Sequence, residues 1–76
     1  MNQKRRELLG KAVKNLEQAN NIVNVVMDEE QSSLDNMPEN LQESEKCMKM
    51  ENALDNLQDA ADCIDKAIDS IRESAG

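Results

Sequence analysis

The feature that most constrains this chain is a run of nine apolar residues in its second half. Cys47, Met50, Leu54, Leu57, Ala61, Ile64, Ile68, Ile71 and Ala75 follow one another at alternating steps of three and four. That alternation puts all nine on one stripe of an α-helix and is the seam along which a second helix packs. The first half carries a matching seam at Leu9, Ala12, Leu16, Ala19, Val23 and Val26, widened by Leu8, Val13, Ile22 and Met27. Favourably ordered acid–base pairs four residues apart, Glu7–Lys11, Glu45–Lys49 and Asp62–Lys66, support both helices.

Between the seams lies Ser33-Leu34-Asp35-Asn36-Met37-Pro38-Glu39. Pro38 has no N–H and breaks a helix interior, yet it fits a first turn. Asn36 followed by Glu39 has N-cap spacing. These signals predict helix one over about 3–33, a tip at 34–37 and helix two over about 38–74, with room for loosening near Ser44. A connection this short makes the helices antiparallel neighbours. The fold class is therefore all-α: one domain over residues 1–76, an antiparallel two-helix hairpin. The absence of any Phe, Trp or Tyr and the presence of only two Gly and one Pro agree with it, since a small β domain uses aromatics and frequent turns.

A chain of 76 residues has little core to bury. Both apolar stripes are also too wide for a single fold-back. Ala53, Ala60 and Ala67 recur every seven residues beside the second seam, and Leu8, Val13 and Ile22 flank the first. A soluble monomer rarely leaves such a surface in water. The reading is a homodimer of hairpins, a four-helix bundle or coiled coil, with Leu8, Val13, Ile22, Ala53, Ala60 and Ala67 in the oligomer interface. Docking of that stripe on a different protein is the competing reading.

Charge is unevenly spread around a net of −7. Residues 1–27 hold five bases and two acids, residues 28–45 seven acids and no base, and residues 46–76 four bases and seven acids. An acidic chain is a poor nucleic-acid binder, and the cluster Lys4-Arg5-Arg6 has no aromatic residues interleaved for stacking. Lys4, Arg5 and Arg6 also sit at a helix N-terminus, where positive charge is disfavoured. Folding back is expected to bring Asp65, Asp69 and Glu73 to them. The acidic row Glu51, Asp55, Asp59, Asp62, Asp69 and Glu73 reads first as a solvated face, and secondarily as a mimic of a phosphate backbone.

Chemistry-bearing constellations are missing. There is no His and no Cys-x-x-Cys, so no metal site and no cofactor are expected. Cys47 and Cys63, roughly 24 Å apart along one helix, cannot bridge. They read as small hydrophobes in a reducing compartment. The acid-rich stretch lacks the central Gly of a calcium loop. An enzyme is not expected, because a bundle tip without aromatics offers little concavity to shift carboxylate pKa values apart. No stretch reads as a secretory leader or reaches the ~20 apolar residues of a membrane span, so a cytoplasmic location is expected.

The tip carries more side-chain amides than a plain turn needs: Asn36, Asn40 and Gln42. Either they cap the helix ends or they present a recognition surface. Met37 is expected to be exposed beside Pro38. Asn36, Met37, Pro38, Asn40 and Leu41 are the candidate contacts for a protein partner. The segment Asp35-Asn36-Met37-Pro38-Glu39-Asn40-Leu41-Gln42-Glu43-Ser44-Glu45, with the apolar residues spaced by acids downstream to Ile71, resembles a DNMPENLQ-type segment. That segment belongs to small uncharacterised helical proteins of Gram-positive gut bacteria, their phages and their mobile elements. The resemblance implies a short helical protein of mobile-element type and supplies no activity. The functional expectation is a small non-catalytic interaction module, an adaptor or inhibitor. The alternative is an acidic nucleic-acid mimic that blocks a host defence.

Overall fold

The computed structural model describes residues 1–76, and the chain is a helical hairpin. Helix α1 spans Gln3–Asp35 and helix α2 spans Glu45–Ala75. They pack side by side in an elongated body of 59 × 15 × 13 Å.

Helix α1 starts where its sequence supplies a cap. The Asn2 side chain accepts the Arg5 N–H at 2.8 Å, satisfying one of the donors that a helix start leaves free. It ends at Asn36, whose backbone N–H donates to the Ser32 carbonyl at 3.1 Å. Pro38 then holds the chain extended (φ −58°, ψ 145°).

Helix α2 begins at Glu45, seven residues later than the sequence signals place it. A single 3-10 turn, Glu39–Leu41, fills the gap. Asn36 is thus the C-cap of α1 and not the N-cap of α2. The reason lies in the seam. Counting back from Cys47 by four and seven reaches Glu43 and Asn40, so a helix extended to residue 38 would have no apolar side chain to bury. Ser44 supplies the cap instead: its Oγ accepts the Cys47 N–H at 3.2 Å and donates to the Leu41 carbonyl at 2.6 Å. Ser44→Ala is expected to cost about 1 kcal/mol. In a chain of this size that lowers the thermal midpoint by about 4–8 °C, readable by circular dichroism.

Along α2 the nine seam residues are all buried or half-buried, as the three-four alternation requires. Along α1 the seam runs through Leu9, Val13, Leu16, Asn20, Val23, Met27, Glu30 and Leu34. Leu9, Leu16 and Val23 lie where the sequence pattern puts them. Val13 and Met27 take the places of Ala12 and Val26, and Asn20 takes that of Ala19. The shift by one residue brings larger side chains against α2 and carries the contact on to Leu34. Val13, expected on the oligomer flank, is one of only four buried residues, with Cys47, Ala61 and Ile68.

The cost of that phase is two half-buried polar residues in the seam, Asn20 and Glu30. Asn20 donates through Nδ2 to Asp65 Oδ1 at 2.9 Å, while its own Oδ1 is buried without a partner. A lone Asn in a heptad core fixes register at the expense of stability. Asn20→Leu is therefore expected to raise unfolding stability by about 1–2 kcal/mol, measured by urea titration, and to loosen the register.

Candidate functional site

Two cross-helix contacts define the flanks of the hairpin. Arg72 donates to Glu17 at 3.4 Å, and Asn20 reaches Asp65. Glu17 and Asp65 each lie one residue beyond a seam position. Their flank also carries Asn24, Gln31, Glu51 and Gln58, and it is polar throughout. Its largest groove, ≈ 480 Å³, is open and lined by Glu17, Asn20, Asn21, Asp65, Ile68, Asp69 and Arg72.

The opposite flank has a different character. From α1 it presents Leu8, Ala12, Asn15, Ala19, Ile22 and Val26. From α2 it presents Ala53, Asn56, Ala60, Cys63, Ala67, Ser70 and Ser74. Neither series contains a charged residue, but Glu29 follows Val26 on α1 at the level of Asn56, and Lys46 and Lys49 precede Ala53 on α2, so charge bounds the face toward the tip. Ala12, Ala19, Ala53, Ala60 and Ala67 are half-buried by the hairpin itself. Leu8 and Ile22 stand well out of it, at 55% and 66% exposure, and Val26 is also exposed. Of the six residues expected in an oligomer interface, five share this face, and Val13 lies in the hairpin's own core. Ala12, Ala19, Val26 and Cys63 complete the surface. Val26 was assigned to the seam, and Cys63 stands exposed beside Ala60 and Ala67.

The tip is a second surface. Its backbone is self-contained: Met37 N–H donates to the Leu34 carbonyl at 3.1 Å, Leu41 N–H to that of Pro38 at 2.9 Å and Ser44 N–H to that of Leu41 at 3.0 Å. None of the side-chain amides of Asn36, Asn40 and Gln42 hydrogen bonds within the chain. Capping is done by backbone groups and Ser44. Met37 is half-buried, not exposed, and it lines a shallow groove of ≈ 420 Å³ with Asn36, Pro38, Leu41, Lys46 and Met50. Asn36, Pro38, Asn40 and Leu41 are exposed around it. The tip residues named from sequence are thus close neighbours, with Asn40 at the outer turn.

Other charged groups do less than their spacing implies. The basic cluster Lys4, Arg5 and Arg6 makes no ion pair with Asp65, Asp69 or Glu73. The two ion pairs in the hairpin are Glu45–Lys49 at 3.5 Å and Glu17–Arg72 at 3.4 Å. The single cross-helix pair therefore has the acid on α1 and the base on α2, the reverse of the expected polarity. Asp65 faces Asn20 instead. No group of three His, Cys, Asp or Glu side chains converges to hold a metal ion. Burial pushes the Cys47 thiol above its ordinary pKa, and the neighbouring Glu51 carboxylate adds to the effect. That thiol is consequently a poor nucleophile at neutral pH. No helix is long and apolar enough to cross a membrane.

Comparison with family models, with curated proteins and with solved structures gave no match. The surfaces themselves are what bear on function.

Proposed function

We propose that this chain is a non-catalytic protein-interaction module of the cytoplasm that works as a homodimer of hairpins. In this reading two copies join through the uncharged flank into a four-helix bundle, and each tip faces outward to engage another protein, as an adaptor or inhibitor does. The observation that carries it is the uncharged face centred on Ile22, Ala60 and Cys63. Most of the charged residues lie elsewhere, so this flank is the one that loses least on leaving water.

Its size is that of a small interface. The face spans residues 8–26 of α1 and 53–74 of α2, about 30 Å of helix in a body 15 Å wide, or roughly 450 Å² per copy against the ~800 Å² per partner of a standard one. Buried apolar area contributes ~25 cal/mol per Å², and exposed Leu8, Ile22 and Val26 supply the large side chains. Asn36, Met37, Pro38, Asn40 and Leu41 lie beyond the end of the face and stay free for a partner.

Small-angle X-ray scattering tests the assembly. The dimer keeps a length near 59 Å and doubles one of the short dimensions, whereas a lone hairpin keeps a 15 × 13 Å cross-section.

A second reading is favoured by the exposed carboxylates Asp55, Asp59 and Asp62, none of them engaged with a base. It makes the chain an acidic mimic of nucleic acid. Competition with DNA for a nuclease or repressor that survives Asp55→Lys, Asp59→Lys and Asp62→Lys together would dispose of it.

A further inference from the structure

The dimer reading leaves two ways to stack a second hairpin on the uncharged face, and the charges of the hairpin discriminate between them. A two-fold axis along the bundle sets α1 against the copy's α2 and brings both tips to one end. A two-fold axis across the bundle sets α1 against the copy's α1, running antiparallel, and sends the tips to opposite ends. Both give antiparallel neighbours throughout, so helix packing alone does not choose.

Helix α1 is charged in the wrong order for a helix standing alone. Residues 3–19 hold five bases and two acids, and residues 20–35 hold four acids and no base. Bases at the amino end and acids at the carboxyl end both oppose the helix dipole. The hairpin does not relieve this: Lys4, Arg5 and Arg6 have no ion-pair partner, and neither do Asp28, Glu29, Glu30 and Asp35.

The same polarity extends to the whole body. The open-end half, residues 1–22 and 62–76, has seven bases and six acids, net +1. The tip half, residues 23–61, has two bases and ten acids, net −8. Packed helices lie 8–10 Å apart, within about one screening length at physiological salt, so charges on stacked hairpins act on each other. Tips together stack −8 on −8. Tips apart stack −8 on +1 at both ends.

We propose that the second copy lies end over end on the first, with α1 packed antiparallel to the copy's α1 and the two tips at opposite ends of the bundle. The basic first turns of each α1 then lie by the acidic last turns of the other. The two partner-binding tips face away from each other, so one dimer bridges two partner molecules in place of gripping one.

The proposal rests on the dimer reading, and one experiment separates the failure of either. Single cysteines are placed at the tip (Asn40→Cys) and at the open end (Gln3→Cys) in a Cys63→Ser background. Buried Cys47 stays unlabelled there, and Cys47→Ala provides a second background. Donor-labelled and acceptor-labelled chains are mixed and energy transfer is read. The expected result is strong transfer between tip and open end and weak transfer between tip and tip, which are separated by most of the 59 Å length. Strong tip-to-tip transfer with weak tip-to-end transfer would overturn the end-over-end arrangement and leave the dimer standing. No transfer in either mixture, from chains that sediment as monomers, would overturn the dimer and this arrangement with it.

Discussion

In the proposed dimer, Ile22→Glu is expected to leave monomers at concentrations where the unaltered chain pairs. Ile22 is 66% exposed in the hairpin and lies midway along the uncharged face. Its burial in the bundle is worth about 1.5–3 kcal/mol per copy. Putting a carboxylate there adds the cost of taking a charge out of water without a partner. Two copies are affected in each dimer, and every 1.4 kcal/mol is a factor of ten in affinity. The dissociation constant should therefore rise by on the order of a thousandfold or more. Gln18→Glu, which adds the same charge at an exposed position of α1 away from the face, is expected to leave association unchanged. Sedimentation velocity on the two variants checks both statements, and a glutamate at position 22 that pairs as well as isoleucine would rule the face out.

Ile68→Ala is expected to remove a large part of the hairpin's stability. Ile68 is 6% exposed and lies in the seam between the helices, near Asn20 and the Glu17–Arg72 pair. Removing its outer carbons forfeits their transfer energy and leaves a cavity, about 2–4 kcal/mol in all. A chain with only four buried residues has a stability toward the lower end of the ~5–15 kcal/mol range of natural domains. The urea denaturation midpoint should move to much lower concentration, while most of the helical circular dichroism is kept at room temperature without urea. Met48→Ala, at a position 59% exposed, is the control and should change stability by less than about 0.5 kcal/mol.

Much of this architecture is legible in the sequence, and the places where it is not share a cause. The α2 seam is read correctly at all nine positions because its neighbours are mostly charged on one side and mostly small or polar on the other, so only one phase carries the large aliphatic side chains. The α1 seam is ambiguous because apolar residues come in adjacent pairs, Leu8–Leu9, Ala12–Val13 and Val26–Met27. Two stripes one residue apart are both plausible. The α2 helix chooses between them, and it selects the one with Val13, Met27 and Leu34 even though that places Asn20 inside. A reading by hydrophobicity alone discards Asn20. The alternation from Leu16 to Val23 passes equally through Ala19 and Asn20, so spacing did not mark it.

The tip fails for a related reason. Pro38 correctly announces the end of α1, but the start of α2 is set by where the seam begins. Ser44, three residues before Cys47, was the informative cap. The basic cluster at residues 4–6 was assigned partners by proximity in an antiparallel pair. In the hairpin Asp65 bonds to Asn20, and no acid of α2 reaches the cluster. Of the candidate interaction residues, those on the uncharged face were recoverable from seven-residue spacing. Cys63 and Val26 were not, because a face made of two helices shows itself only once their relative rotation is known.

The most direct test of self-association through the uncharged face is sedimentation equilibrium of the purified chain at micromolar concentration. The account predicts a folded species of twice the 8.5 kDa chain mass. A fully helical species that stays at 8.5 kDa as concentration rises would contradict it.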